Sequence, residues 1–240
     1  MTTLIVGATG ATGRLLVQQL LDRGEEVRAI VRSPEKLPKA VLDDDRLTVI
    51  QAGILDLSDS EMAQYVNGCR AVASCLGHNL TLKGVYGQPR RLVTDAARRL
   101  CEAVKANNPQ GPTKYVLMST VANHNPDLDD PLPFKERAVF GLLRVVLPPQ
   151  ADNEQAAGYL KSTIGQNDKA IEWSAVRPDS LIDEDEVTAY EVYPSLMQSA
   201  ISGSDKTSRI NVAHFMAELI TNEETWRVWR GQMPVIYNAT

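Results

Sequence analysis

Residues 1–14 read MTTLIVGATGATGR, and this stretch decides the fold of the chain. The segment Thr2 to Val6 has the apolar character of a short buried strand, and the segment Gly7 to Gly13, which follows it, carries a glycine at every third position before an apolar pattern of helical spacing begins. Three glycines alone would be a weak signal, but a strand before them and a helix after them are the context of a nucleotide loop. In that context Gly7 can make the tight turn, Gly10 can let the backbone approach a ligand, and Gly13 can let the helix pack near the strand. Free N–H groups at the start of the helix would face a pyrophosphate, so the stretch predicts a dinucleotide-binding loop.

The second predicted strand indicates which dinucleotide is bound. It covers 26–31, and its carboxyl end should lie beside the adenine ribose of a doubly wound sheet. An acidic residue there would hydrogen-bond a ribose 2′-hydroxyl, whereas this chain has Arg32, with Ser33 and Lys36 close behind, which supply donors for a 2′-phosphate. NADP(H) is therefore favoured over NAD(H). The alternative is that Arg32 and Lys36 are solvated surface charges, as most such residues are.

The composition is that of an ordinary globular protein. The chain has 240 residues, of which 43% are hydrophobic and 23% charged, and its formal net charge is −5. These values fit one large α/β domain and show no basic excess for a nucleic-acid surface. No basic segment with an apolar run opens the chain, and no stretch approaches the roughly 18 apolar residues of a transmembrane helix, so we expect a cytoplasmic protein that does not enter a membrane.

Cysteine and histidine spacing gives no support for a metal site. The three cysteines are odd in number and form no C-x-x-C pair, which predicts reduced thiols rather than disulfides or a zinc site. The three histidines lie far apart in sequence, and none belongs to an H-E-x-x-H pattern. We expect no metal.

Strands and helical patterns alternate along the chain, which is typical of parallel β–α–β units. This alternation predicts an α/β fold with a doubly wound, Rossmann-type parallel sheet of at least six strands. After the first two, further strands are expected at 46–51, 71–75, 114–118, 170–176 and 234–237. Further helices are expected from Ser58 or Asp59 to about 67, and at 90–107, 134–147, 154–164 and 211–220, the last capped by Asn211.

Three residues at predicted strand ends are candidates for the site, because ligands of such sheets bind outside the carboxyl ends of the strands. Asp56 could hydrogen-bond an adenine amino group or be an ordinary cap or turn carboxylate. Gly77 could let the backbone approach the cofactor. Ser119 follows the fifth strand and is the best candidate for a hydroxyl at the catalytic position.

Two segments frame the expected substrate side. The apolar helix predicted at 134–147, ended by Pro148 and Pro149, could cover the pocket, or could pack on the core or against another subunit, so a homo-oligomer stays open. We treat 1–240 as a single NAD(P)-binding domain in which 179–210 is a substrate-side insertion. The acidic run at 183–186 is expected to be a solvated loop without chemistry.

The chain resembles the short-chain dehydrogenase/reductase superfamily, in its atypical NAD(P)H-binding branch related to biliverdin and flavin reductases and to redox-sensing NADP-binding proteins. The resemblance covers nearly the whole chain and rests on the segments 6–13, 29–36, 116–120 and 173–178. It implies a contact set for NADP(H). The implied contacts are Thr9, Gly10, Ala11 and Thr12 with the pyrophosphate, Arg32, Ser33 and Lys36 with the 2′-phosphate, Asp56 and Leu57 with the adenine, Leu76 and Gly77 with the ribose, and Ser119 and Pro178 with the nicotinamide end.

The chain departs from this family at its usual proton donor. Typical members carry a Tyr-x-x-x-Lys pair on the sixth crossover helix, and no such pair occurs in this sequence. Alignment through 157–160 puts Gln150 and Glu154 at the two positions. Tyr159 and Lys161 are two residues apart and cannot share a helix face, so we expect Tyr159 to be packed rather than catalytic.

The leading functional hypothesis is an NADPH-dependent oxidoreductase that reduces a small planar acceptor such as a quinone or flavin. Hydride transfer from a positioned cofactor to such an acceptor needs no strong protein acid, so Ser119 would only hydrogen-bond the acceptor and water would deliver the proton. The alternative is a non-catalytic NADP(H)-sensing regulatory protein in which the cofactor orders a partner surface. Epimerase or dehydratase activity on a nucleotide sugar is a third hypothesis, weakened by the missing tyrosine.

Overall fold

The computed structural model describes residues 1–78, 87–123, 148–196 and 206–239. The strands are β1 (Thr2–Val6), β2 (Glu26–Val31), β3 (Leu47–Gln51), β4 (Ala71–Ser74), β5 (Thr113–Met118), β6 (Ile171–Pro178), β7 (Ser180–Ile182), β8 (Tyr190–Tyr193), β9 (Lys206–Ser208) and β10 (Val235–Asn238). The helices are α1 (Ala11–Asp22), α2 (Lys39–Leu42), α3 (Asp59–Val66), α4 (Leu92–Ala106), α5 (Pro148–Tyr159), α6 (Arg209–Thr221) and α7 (Glu223–Trp229). A 3-10 turn covers Pro34–Lys36, and a π-helical segment, Leu160–Ile164, continues α5.

Eight strands form one sheet in the order β3-β2-β1-β4-β5-β6-β10-β8. All neighbours are parallel except β8, which runs antiparallel to β10. This confirms the predicted doubly wound, mostly parallel sheet. The strands β7 and β9 form a separate two-stranded parallel sheet.

Helices cover both faces of the sheet, which is why its central strands are apolar on both sides. One face packs against α3, α4 and α5, and the opposite face against α1, α6 and α7. All four residues of β4 are buried. The parallel register aligns the carboxyl ends of the central strands, because Val6 pairs with Ile30 of β2 and with Ser74 of β4. The turns that follow these three strands therefore meet at one edge of the sheet.

Several element boundaries differ from the sequence expectation. Pro148 and Pro149, expected to end a helix, instead begin α5, which starts six residues before the predicted Glu154. Proline suits the first helical turn, where its missing N–H would have no partner. The predicted helix at 134–147 lies outside the described residues. Ser58 caps α3 as expected, in a capping box with Glu61.

The chain after Pro178 holds more regular structure than expected. The short strands β7 to β9 and the helix α7 lie where the sequence predicted only loops or no element, because strands of three or four residues show no usable periodicity. Ser208 rather than Asn211 caps α6, and its Oγ accepts the backbone N–H of Asn211 at 3.3 Å. The run 183–186 is a loop, and Asp183 pairs with Arg209. None of the helices in the described ranges has the length and apolar character needed to cross a bilayer.

Candidate functional site

The turn after β1 is closed by glycines that leave no room for a side chain. Gly7 has a φ of +78°, and a Cβ atom on it would lie 2.5 Å from the carbonyl carbon of Cys75 at the end of β4. A Cβ atom on Gly13 would lie 2.1 Å from the carbonyl oxygen of Gly7. The turn therefore packs on β4 on one side and on the first turn of α1 on the other.

The amino terminus of α1 is open to an anion. Gly10 occupies its N-cap position, and no side chain caps the helix. The N–H groups of Ala11, Thr12 and Gly13 have no acceptor within the helix, whereas the N–H of Arg14 bonds to the carbonyl of Gly10 at 3.0 Å. Such N–H groups and the positive end of the helix dipole together favour phosphate oxygens. The described arrangement fits a pyrophosphate, with Thr9 partly exposed beside it.

Cationic side chains lie at the neighbouring strand end. Arg32 follows β2 and is exposed, as is Lys36 in the 3-10 turn, with the partly buried Ser33 between them. Within the described ranges no carboxylate forms an ion pair with Arg32 or Lys36. In contrast, Nη2 of Arg46 forms an ion pair with Oδ2 of Asp44 at 2.7 Å. Arg32 and Lys36 are thus available to a phosphate.

The ends of β3 and β4 hold the remaining cofactor candidates. Asp56 is exposed and does not cap α3, since Ser58 does, while Leu57 is buried. Leu76 packs partly against the core. Gly77 is exposed, and a Cβ atom on it would meet no atom of the described residues within 4 Å. The described neighbours therefore leave room for a side chain at 77.

Ser119 lies at the end of β5, where its hydroxyl is held in place. Its side-chain Oγ accepts a hydrogen bond from Nδ2 of Asn123 at 3.1 Å, and its N–H donates to the carbonyl of Val176 at 2.7 Å. Because Asn123 donates to Oγ, the hydroxyl hydrogen remains available to donate elsewhere. Ser119 is 7% exposed. It can give one hydrogen bond to an acceptor, and no activating base among the described residues is in contact with it.

A buried cation fixes the loop that holds Ser119. Arg177 is fully buried, and its guanidinium donates to the carbonyls of Met233 at 2.7 Å, Asn123 at 3.1 Å and Pro194 at 3.2 Å. Pro178, which follows it, is buried, and its carbonyl accepts a backbone N–H of the same loop. Neither Asn123 nor Arg177 is among the site residues predicted from the sequence. Arg177 could have been found from its place in the segment 173–178, which is one of the segments that carry the family resemblance.

The helix α5 carries the positions of the missing Tyr-x-x-x-Lys pair. Nε2 of Gln150 lies 3.2 Å from Oε1 of Glu154, so the two side chains share a helix face as i,i+4 neighbours do. A glutamine amide is no acid at neutral pH. Tyr159 is partly buried against the core, and burial raises its pKa to about 12. That position and that pKa agree with packing rather than catalysis.

No group of three or more His, Cys, Asp or Glu side chains that could hold a metal occurs in the described part of the chain. The three cysteines form no disulfide. Burial raises the pKa of the Cys75 thiol to about 12, so it is not a ready nucleophile.

The glycine turn, the open helix terminus and the cationic strand end form the geometry of a dinucleotide site. A family model described as NAD(P)H-binding matches residues 7–223. The chain belongs to this NAD(P)H-binding family. Among curated proteins, an uncharacterised chloroplastic protein of Arabidopsis thaliana is 26% identical over 223 residues, which are 92% of this chain and 72% of that protein.

Solved structures share the fold of this family member. A short-chain dehydrogenase/reductase from Veillonella parvula in complex with NADP has a TM-score of 0.70 and 16% identity, with 98% of this chain and 93% of that one covered. A candidate NADH-flavin reductase from Streptococcus pneumoniae has a TM-score of 0.67 and 17% identity, with both chains covered completely. At this identity the likeness shows the Rossmann-type fold alone.

Proposed function

We propose that this NAD(P)H-binding protein is an oxidoreductase that uses NADPH to reduce a small planar acceptor such as a quinone or flavin. The observation that carries the proposal is the pairing of two anion sites on adjacent strand ends. The uncapped start of α1 suits the pyrophosphate. Ile30 of β2 pairs with Val6 of β1, and Arg32 lies two residues beyond Ile30, where it suits the 2′-phosphate. The separation into two sites matches a dinucleotide that carries a third phosphate.

The acceptor class follows from what the site offers to a substrate. Ser119 supplies one oriented hydroxyl, and the sequence aligns Gln150 and Glu154 with the tyrosine and the lysine of typical members. An acceptor that is easily reduced and flat needs mainly positioning against the nicotinamide. The Streptococcus protein with the same fold is described as a candidate flavin reductase, and the Veillonella protein holds NADP, which supports the proposal by analogy only.

The proposed cofactor contacts are those expected from the sequence. They are Gly7, Thr9, Gly10, Ala11, Thr12 and Gly13 in the glycine turn, Arg32, Ser33 and Lys36 after β2, Asp56 and Leu57 after β3, Leu76 and Gly77 after β4, Ser119 after β5, and Pro178 at the end of β6. When bound, NADPH would supply the hydride. The chain would bind and orient the cofactor and the acceptor.

The test is turnover with defined acceptors. NADPH oxidation should be followed with a panel of quinones and free flavins, each compared with the same acceptor in buffer and with the Gly10→Val variant. Acceptor-dependent oxidation by the unmodified protein and not by the variant supports the enzyme. Binding of NADPH with no acceptor-dependent oxidation contradicts it.

That second outcome would favour the alternative of a non-catalytic NADP(H)-sensing regulatory protein, which one observation supports. The start of α1 has no side-chain cap and suits a phosphate, whereas Gln150 aligns with the tyrosine of typical members and burial raises the pKa of Tyr159 to about 12. A cofactor sensor needs only the binding side.

We also keep the cytoplasmic location as a proposal, which fractionation of cells that express a tagged chain would test, because the Arabidopsis relative is chloroplastic.

A further inference from the structure

A buried acid–base pair connects the end of β4 with α5. Nε2 of His78 lies 2.8 Å from Oδ2 of Asp152, and their side chains are 5% and 0% exposed. His78 follows β4 and the glycine at 77, and Asp152 lies on α5 between Gln150 and Glu154. Neither residue has a role predicted from the sequence. They are 74 residues apart in the chain, so no local pattern reveals the pair.

Asp152 is held rigidly by the start of α4. Its carboxylate accepts the backbone N–H groups of Val93 at 2.8 Å and Thr94 at 3.0 Å, and the Thr94 hydroxyl donates to the carbonyl of Asp152 at 2.9 Å. The positive end of the α4 dipole faces this carboxylate. Asp152 therefore joins α4, α5 and His78 in one buried network.

The network decides which imidazole nitrogen is available. An ionised carboxylate only accepts hydrogen bonds, so Nε2 of His78 carries the hydrogen that Asp152 receives. Nδ1 is then the ring nitrogen left for a further partner. Within the described ranges no group hydrogen-bonds to Nδ1. The arrangement is that of a histidine oriented by a carboxylate, as in hydrolase triads.

The pair lies at the same edge of the sheet as Ser119. On one side, the backbone of Cys75, three residues before His78, packs against Gly7 of the cofactor turn. On the other side, Asn123 donates both to Ser119 Oγ and, at 3.5 Å, to the carbonyl of Asn153. Ser119 and His78 are thus tied, directly or through Asn123, to consecutive residues of α5.

We propose that His78 is the proton donor of the reduction and that Asp152 is its positioning residue. This inference rests on the proposed function. The acceptor gains two electrons and one hydrogen as hydride from the dihydronicotinamide, which is oxidised, and gains its second hydrogen as a proton from Nδ1 of His78. The N–H bond of the imidazolium breaks, an O–H or N–H bond forms on the reduced acceptor, and His78 recovers a proton from water. His78 then takes the place both of the missing tyrosine and of the water expected from the sequence.

The central experiment replaces His78 without removing its hydrogen bond. His78→Gln keeps an N–H donor near the position of Nε2 for Asp152, so a purely structural role would survive the change. If His78 donates the proton, kcat with quinone or flavin falls about a hundredfold or more, whereas the Kd for NADPH and the Tm stay close to those of the unmodified protein. His214→Gln is the matched control, because His214 lies on α6 on the opposite face of the sheet, and it should keep full turnover.

Three further measurements complete the test. In His78→Ala, imidazole in solution should restore part of the lost kcat, which a structural role would not allow. Nitrogen NMR of the His78 ring in the cofactor-free protein should show Nε2 protonated, and Asp152→Asn should lower kcat without a matching rise in KM for NADPH.

The outcomes separate the two proposals. Turnover in His78→Gln within about fivefold of the unmodified protein, or hydrogen on Nδ1 alone in the neutral ring, overturns the donor role while the oxidoreductase stands. Absence of any acceptor-dependent oxidation by the unmodified protein overturns both. If His78→Gln fails to fold, imidazole rescue of His78→Ala and the ring tautomer decide the matter.

Discussion

Nδ2 of Asn123 lies 3.1 Å from Oγ of Ser119, so the amide of a loop residue occupies one lone pair of the hydroxyl that ends β5. The same loop is held at the carbonyl of Asn123 by the buried guanidinium of Arg177. The hydroxyl is therefore oriented before any substrate arrives. Orientation of this kind lets a single hydrogen bond contribute its full effect, because no rotamer has to be selected at the moment of reaction.

The first prediction concerns that hydroxyl. Ser119→Ala should lower kcat/KM for the acceptor by about fivefold, which corresponds to one hydrogen bond of about 1 kcal/mol. Ser162→Ala is the control, because the Ser162 hydroxyl bonds only to the carbonyl of Gly158 on an exposed surface, and it should leave kcat/KM unchanged. A loss beyond about a hundredfold in Ser119→Ala would mean that the hydroxyl takes part in proton transfer.

The second prediction concerns cofactor choice. NADPH should bind about tenfold or more tightly than NADH, and Arg32→Ala should remove most of this preference, because a charge-assisted bond to phosphate contributes roughly 1.5–3 kcal/mol. Arg46→Ala removes an equal charge that is already paired with Asp44, so the preference should persist. Isothermal titration calorimetry with NADPH and with NADH measures the two dissociation constants and hence the preference. Equal affinities in the unmodified protein would show that Arg32 meets no phosphate.

The third prediction concerns the glycine turn. A Cβ atom on Gly10 would lie 3.2 Å from the carbonyl oxygen of Gly7, which the turn can tolerate with a small shift, but the rest of a valine side chain would project where the pyrophosphate is expected. Gly10→Val should therefore lose NADPH and NADH binding and keep a near-normal Tm. Unchanged binding would place the cofactor elsewhere. Gly13→Ala should instead reduce the Tm, since its Cβ would meet the Gly7 carbonyl at 2.1 Å.

The fourth prediction concerns the remaining tyrosine of the crossover helix. Tyr159→Phe should change kcat by less than about twofold, because removal of a hydroxyl from a packed ring costs at most one weak hydrogen bond. Burial raises the pKa of Tyr159 to about 12, so the phenol is a poor acid near neutral pH. Steady-state NADPH oxidation between pH 6 and about 9 is the measurement. A loss of two orders of magnitude with folding intact would make Tyr159 a relocated catalytic acid.

The fifth prediction concerns stability in mild acid. His214 Nδ1 lies 2.8 Å from the Tyr190 hydroxyl, and partial burial, with Arg23 nearby, lowers the pKa of His214 below its usual value of 6.5. A histidine pKa that is lower in the folded state stabilises the fold above the unfolded value of about 6.5, and this contribution is lost as the pH falls through the folded pKa. The free energy of unfolding in urea should therefore fall below pH 6.5, and less steeply in His214→Asn. Parallel curves for the two proteins would contradict this assignment.

Local patterns were enough to predict the cofactor half of the fold. The bounds of β1 and β2 agree with the structure residue for residue, because neighbouring residues mark them: Gly7 follows β1, and Gly24, which stops the first helix, precedes β2. Ser58, one of the two cap residues expected for α3, forms the cap, and its partner Glu61 is three residues away. These features depend on neighbours in sequence.

Features that depend on distant partners were not predicted. The antiparallel edge strand β8 has no signal of its own and is defined by its pairing with β10. The start of α5 was misplaced because a proline pair can end one helix or begin the next, and only the surrounding packing decides. His78 and Asp152 are unremarkable alone, and their relationship becomes visible only when β4 and α5 are brought together.

The position of β10 has a consequence for how the chain is made. This strand lies between β6 and β8, although it is the last of the three to be synthesised. Until residues 235–238 have left the ribosome, β6 has an open edge and β8 has no partner in the sheet. An emerging chain can assemble the strands from β3 to β6 early, but it must keep an unpaired, largely apolar strand edge from other chains until β10 has been synthesised.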